Sequence, residues 1–150
     1  MSTPIEWQWL PFDALSREQL YALLRLRSEV FVVEQNCVFL DIDGQDEKAM
    51  HLLGFRATEL VAYVRCFPKG ISFAEASIGR VVTKPAARGG GLGHLLMAEA
   101  IRALQQQWEP QAIRIGAQAH LKAFYQQHGF VDMGLPYVED GIDHLEMVRP

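Results

Sequence analysis

Along residues 5–10 (IEWQWL) apolar and polar positions alternate, which predicts a first strand with Ile5, Trp7 and Trp9 on one face, stopped by Pro11. The period then changes. Ser16-Arg17-Glu18-Gln19 forms a capping box, with Leu15 and Leu20 placed as a hydrophobic staple. Leu20, Leu23, Leu24 and Phe31 follow on one stripe, with Arg25, Arg27 and Glu29 scattered around the rest, predicting a helix to about residue 32 or 33. Residues 34–48 (EQNCVFLDIDGQDEK) read as a long polar connection. Two short apolar runs, 50–56 and 60–67, flank Ala57-Thr58-Glu59 as an antiparallel hairpin, and 68–74, with Pro68 and Gly70, reads as a loop.

Residues 77–104 (SIGRVVTKPAARGGGLGHLLMAEAIRAL) are the centre of the pattern. Ile78, Val81 and Val82 have strand character, and Pro85 ends the strand near Lys84. Past the glycines, Leu92, Leu95, Leu96, Ala100, Ala103 and Leu104 recur at helical spacing, so a helix starts at or near the glycine turn and runs toward Pro110. Residues 112–117 read as a further strand and 119–128 as a short helix closed by Gly129. Phe130 and Val131 open another strand that Pro136 interrupts, Asp140-Gly141 marks a turn, and 144–148 is a last strand. The order β-α-β-β-β-α-β-α-β-β predicts one α/β domain over 1–150, a mixed sheet with helices on both faces.

Composition narrows the function classes. Half of the 150 residues are apolar, enough for a sizeable core and too many for a disordered chain. No apolar run approaches the ~18 residues of a membrane span, and the first residues lack the basic and apolar regions of a secretory signal. Cys37 and Cys66, outside any C-x-x-C, suit a reducing, cytoplasmic setting. A net charge of −4 without a basic stripe argues against nucleic acid as a partner. The histidines and cysteines lack metal-ligand spacing, so no metal is expected.

Two stretches carry candidate chemistry. The helix start at the glycines offers unpaired N–H groups and the positive end of the helix dipole, and glycine lets an anion approach. Phosphate binds such a turn readily, and Arg80, Lys84 and Arg88 form a local basic spot beside it. A P-loop is excluded, because no Lys-Ser or Lys-Thr follows the glycines; a dinucleotide fingerprint fails because its third glycine would fall on His94 or Leu96. The second stretch, Asp41, Asp43, Asp46 and Glu47, fails as a calcium loop: Gly44 is fourth from Asp41 where sixth is needed, and Leu52 occupies the twelfth place. It reads either as a solvated turn or as a wall attracting a cationic amine. His51 reads as a structural hydrogen-bonding residue or as a base.

The spacing Arg88-x-x-Gly91-x-Gly93 resembles the acetyl-CoA signature Q/R-x-x-G-x-G/A of the GNAT acetyltransferase family. Phe124-Tyr125-Gln126-Gln127-His128-Gly129-Phe130 resembles the Y-x-x-x-G-F segment that follows it, and the element order resembles the GNAT fold across almost the whole chain. Arg27-x-x-Val30-Phe31-Val32-x-Glu34-Gln35, the Asp41/Asp43 loop, Gln118-Ala119-His120 and Tyr137-x-Glu139-Asp140-Gly141-Ile142-x-His144 resemble its ElaA-like branch. The first of these is also similar to acyl-homoserine-lactone synthases, which share the fold.

The resemblance implies an acetyl-CoA-dependent N-acetyltransferase acting directly on a primary amine of a small molecule or peptide. The main chain of Val81, Val82 and Thr83 would pair with the pantetheine arm of CoA, and the amides of Arg88, Gly89, Gly90, Gly91, Leu92, Gly93 and His94 would hold the pyrophosphate. Tyr125 would protonate the departing thiolate. Two positions depart from the family pattern. Where many members carry a glutamate base, this chain has Ser77, so Glu75 is the first candidate, with Glu34, His51, His120 or a water chain as alternatives. Gln118 stands where many members have asparagine, keeping the amide as a cofactor contact. A CoA-binding module without catalysis, an acyltransferase with a longer donor, and a homodimer all stay open.

Overall fold

The computed structural model describes residues 3–150; Met1 and Ser2, the first residues of the stretch expected to lack a secretory signal, lie outside the described residues. Seven strands form one sheet: β1 (Ile5–Pro11), β2 (Met50–Arg56), β3 (Glu59–Phe67), β4 (Ala76–Thr83), β5 (Ile113–Gln118), β6 (Val131–Glu139) and β7 (Ile142–Arg149). Their order is β1-β2-β3-β4-β5-β7-β6. Every neighbouring pair is antiparallel except β4 and β5, so the sheet is mixed, as the element order predicts.

The first helix, α1 (Arg17–Arg27), starts as expected: Gln19 N–H donates to Ser16 Oγ at 3.0 Å and Ser16 N–H to Gln19 Oε1 at 2.7 Å, each satisfying an amide that has no helical partner. It then loosens into π-helical turns, Ser28–Glu34, in which Gln35 N–H reaches back to Val30 O at 3.1 Å. Helical periodicity predicts the overall extent but not this widening. Leu23, Leu26 and Val30 are the buried residues of this stripe, packed on Leu53, Tyr63 and Val82 of the sheet. Arg27, expected among the outward polar positions, is instead fully buried.

On the other face α2 (Leu92–Trp108) lays Leu92, Leu96, Met97, Ala100 and Leu104 against Leu52, Val64, Ile113 and Met147. Leu95 falls outside this contact and is exposed, because the buried stripe follows positions 92, 96, 97, 100 and 104. The predicted helix over 119–128 is shorter than expected: a 3₁₀ turn (Ala119–Leu121) precedes α3 (Lys122–Gln126). Gly129 does close it, at φ +88°, and Phe130 N–H bonds Tyr125 O at 3.2 Å. Pro136 interrupts the β6–β7 pairing as expected, at a register shift between Asp132 and Pro136, and β6 then continues to Glu139.

Trp7 of β1 lies across Gly54 of β2, its strand partner, and a Cβ at Gly54 would stand 2.6 Å from the indole ring. Gly54→Ala should therefore cost about 1–3 kcal/mol by overpacking, and lower Tm by roughly 2–10 °C in a thermal melt.

Candidate active site

The single parallel pairing creates the site. β4 and β5 are joined only at Ala76–Ile113 and Ser77–Arg114. Beyond that the strands separate, because β5 takes β7 as its other partner and continues to Gln118 while β4 follows β3 to Thr83. The gap opens into a cleft of about 770 Å³. Its walls include Ser77 to Thr83 of β4, Ile115, Gly116 and Gln118 of β5, and Val30, Phe31, Glu34 and Gln35 from the π-helical turns. Opposite Val64, β4 carries an extra residue, since Tyr63 pairs with Val82 and Arg65 with Gly79. Arg80 occupies this bulge at φ +51°. The bulge re-aims Val81, Val82 and Thr83, whose edge facing β5 has no strand beside it.

The cleft runs to the glycine turn. Gly89 (φ +101°) and Gly91 (φ +75°) take backbone conformations that L side chains rarely adopt, and open space surrounds the Cβ positions of Gly89, Gly90 and Gly91. Gly91 caps α2 without any side-chain bond, so the first-turn amides of Leu92, Gly93 and His94 stay available. Phe124 packs under Gly93 at 3.4 Å from a Cβ position. His94 Nδ1 lies 2.9 Å from His128 Nε2 on the rim, and burial, the His94 ring and Arg149 lower the pKa of His128.

The expected basic spot is smaller than its sequence. Arg80 turns inward to Asp41 (2.9 Å), and Lys84 reaches toward Glu29 (3.8 Å). Arg88 remains at the turn, held by two 2.8 Å bonds to Glu34 and by bonds to Thr83 Oγ1 (3.2 Å) and Thr83 O (3.1 Å).

Tyr125 lines the cleft from α3. Its ring is buried edge-on between Phe124 (5.1 Å) and Phe130 (5.9 Å), and burial pushes its pKa up to about 12. Gln118 also lines the cleft, 3.4 Å from Gln35. The structure does not bring Glu75 there. Glu75 precedes β4, and its carboxylate is held at 3.1 Å by Arg114, which also binds Glu146 at 3.0 Å. The hydrogen bond from Arg114 lowers its pKa, so both position and basicity argue against Glu75 as the base.

The acidic loop is neither a solvated turn nor a free anionic wall. Asp41 and Asp46 are buried. Arg27 binds Asp41 at 2.9 Å and Asp46 at 2.7 Å; Arg65 binds Asp43 at 2.8 Å and Asp46 at 3.0 Å. With Arg80 this makes three arginines facing three aspartates, a charge-neutral cluster of which Asp43, Arg65 and Arg80 line the cleft. Burial raises the Asp43 carboxyl, but Arg65, the Gln45 N–H and Arg80 outweigh it and bring the pKa to about 2. His51 belongs to the same structural layer: Nδ1 meets the Tyr63 hydroxyl, Nε2 meets Asp46 O at 2.9 Å, and burial lowers its pKa.

Tyr137 and His144, both in the stretch that carries the ElaA-like resemblance, line the cleft from β6 and β7. Tyr137 lies across Gly116, where a Cβ would overlap its hydroxyl. Pairing of β7 with β5 and of β6 with β7 brings both residues to the cleft.

The family model for the Acetyltransferase (GNAT) domain matches residues 15–149. Protein ElaA of Escherichia coli is 46% identical over 147 residues, covering 97% of this chain and 96% of that protein. Its crystal structure superposes with a TM-score of 0.91 at 44% identity, covering 98% of this chain and 100% of that one. An acyl-CoA N-acyltransferase structure from Pseudomonas aeruginosa gives 0.93 at 42% identity with the same coverage. With the splayed strands, the uncapped glycine turn and these full-length likenesses together, the chain belongs to the GNAT acetyltransferase family and is a transferase of that type.

Proposed function

We propose that the protein transfers an acetyl group directly from acetyl-CoA to a primary amine of a small molecule or peptide. The observation that carries this is the continuity of the β4/β5 gap with the uncapped, glycine-lined start of α2. A pantetheine arm fits the gap as an added strand along Val81, Val82 and Thr83, and a pyrophosphate fits the amides from Arg88 to His94. Arg88 adds a charge at the turn, and Gln118 an amide on the far wall.

An amine acceptor arrives as an ammonium ion and must lose a proton before attack. Backbone N–H groups of the β4 edge can stabilise the oxyanion that forms. The Tyr125 hydroxyl then donates to the departing sulfur. Direct transfer is favoured over a cysteine intermediate: Cys66 is fully buried with its pKa pushed up by burial, and Cys37 donates its thiol to Asp140 O at 3.3 Å.

Acetyl-CoA at about 100 times its Kd should add about 2.7 kcal/mol, a rise in Tm of roughly 5–10 °C. Gly91→Val should remove most of that rise, because a β-branched residue is strained at φ +75° and crowds the turn. A wild-type shift followed by thiol release over a panel of primary amines supports the enzyme reading. Binding without thiol release points to a non-catalytic CoA module, and the absence of any shift removes the cofactor site itself.

A further inference from the structure

With Glu75 turned away, the cleft needs another group to take the acceptor's proton, and β7 supplies one. His144 pairs across the sheet with Gln118 on one side and Tyr137 on the other, at the end of β5 that has left β4. Its side chain is 10% exposed and lines the cleft. The Nδ1 atom lies 2.7 Å from Ile142 O. A carbonyl oxygen only accepts, so Nδ1 carries the hydrogen and Nε2 keeps its lone pair. The ring is stacked on Tyr137 at 5.2 Å and 22°, and Tyr137 is itself seated over Gly116. The imidazole therefore has a set tautomer and a set plane.

Nε2 has no hydrogen-bond partner among the described residues. Glu139 of β6 places Oε2 at 4.0 Å, too far to occupy Nε2 by a hydrogen bond. The Tyr137 hydroxyl and Asp140 of the β6–β7 turn also line this end; Glu146, two residues along β7, is held by Arg114. Other bases are committed elsewhere. Glu34 is clasped by Arg88, which lowers its pKa, Asp43 is neutralised by Arg65 and Arg80, and both ring nitrogens of His51 are bonded. His120 lines the cleft but is exposed, with no hydrogen bond among the described residues to orient its ring.

We propose that His144 is the general base that takes the proton from the acceptor ammonium through Nε2. The step balances without a further reactant. The ammonium gives one proton to His144, and its freed electron pair forms the C–N bond to the acyl carbon. The tetrahedral species expels sulfur with the C–S electron pair. The second amine proton accompanies the thiolate, leaving amide and thiol, and His144 returns its proton to solvent. The inference rests on the amine-acetylation reading above.

The test is His144→Asn, whose amide N–H reproduces the bond to Ile142 O but offers no base. With the best acceptor of the amine panel, kcat/KM at pH 7 should fall about 100-fold. The acetyl-CoA thermal shift should persist, which reports that the variant folds; His144→Gln serves as the second variant. Activity of His144→Asn should recover about tenfold per pH unit as the free-amine fraction rises toward the amine pKa. A loss below tenfold, a loss that does not vary with pH, or the same pH-dependent defect in His120→Asn in its place overturns the proposal. Long-range ¹H–¹⁵N NMR of the wild-type imidazoles, assigned with the variant, should find His144 as the Nδ1–H tautomer. An Nε2–H tautomer overturns the proposal whatever the acceptor, and a panel with no turnover overturns the acetylation reading while leaving that tautomer measurable.

Discussion

Replacing Tyr125 with Phe should lower kcat about 100-fold, or about 2.7 kcal/mol of transition-state stabilisation, and leave the acetyl-CoA-induced shift in Tm within a degree or two of wild type. The substitution keeps the ring between Phe124 and Phe130 and removes only the hydroxyl, so the fold should be unaffected. With the pKa pushed up to about 12 by burial, the hydroxyl stays protonated across the working pH range. A free thiol has a pKa near 8.5, so full transfer from such a tyrosine to a thiolate is uphill by about 3.5 pKa units, on the order of 5 kcal/mol. In the proposed transfer Tyr125 therefore serves as a hydrogen-bond donor to the sulfur as charge develops, and the net proton comes from the amine. Steady-state kinetics with thiol detection measures this, and an unchanged kcat removes Tyr125 from the chemistry.

The largest effect on stability should come from Arg27→Met, at about 3–5 kcal/mol, or a Tm lowered by roughly 6–20 °C. Arg27 is wholly buried and binds Asp41 and Asp46; without it Asp46 loses its nearest cation and Asp41 one of its two. Methionine refills much of the volume, so the loss reads as charge rather than cavity. The same cluster sets an acid limit. In Asp43 and Asp46 burial works to raise the pKa, but hydrogen bonds and charges from Arg65 and Arg27 prevail and lower it, to about 2 for Asp43. A carboxyl held below its unfolded value of 3.8 contributes stability that is fully present above about pH 4 and is lost as pH falls toward 2. Denaturant unfolding at pH 7, 4 and 2.5 should find wild type losing stability through this window, and Arg27→Met losing less, because its Asp46 no longer has Arg27 as a partner. Equal losses would mean that Asp46 does not report on Arg27.

How far the sequence reached differs between residues that speak locally and residues that act at a distance. The capping box, the 50–67 hairpin, the start of α2 at Gly91 and the close of α3 by Gly129 are local, each written within a few positions by periodicity or backbone preference. The glycine turn and the Tyr125 segment were legible for the same reason, and they carried the family. The misreadings share an opposite cause. Arg27, Arg80 and the aspartates look like ordinary surface charges in sequence, because the ion pairs that bury them join positions 14 to 39 residues apart. Glu75 sits two residues from Ser77, yet Arg114, 39 residues away on the neighbouring strand, takes its carboxylate.

By itself, then, the sequence determined the order of elements, the glycine turn and the family, since these depend on backbone conformation and spacing along the chain. Only the tertiary structure decided that β7 inserts between β5 and β6, that β4 and β5 part after two residue pairs, and that the Arg80 bulge turns the β4 edge toward the opening. Those choices bring His144 to Gln118 and seat Tyr137 over Gly116. They depend on which apolar faces bury one another and which charges meet across the sheet, energies that no local pattern contains.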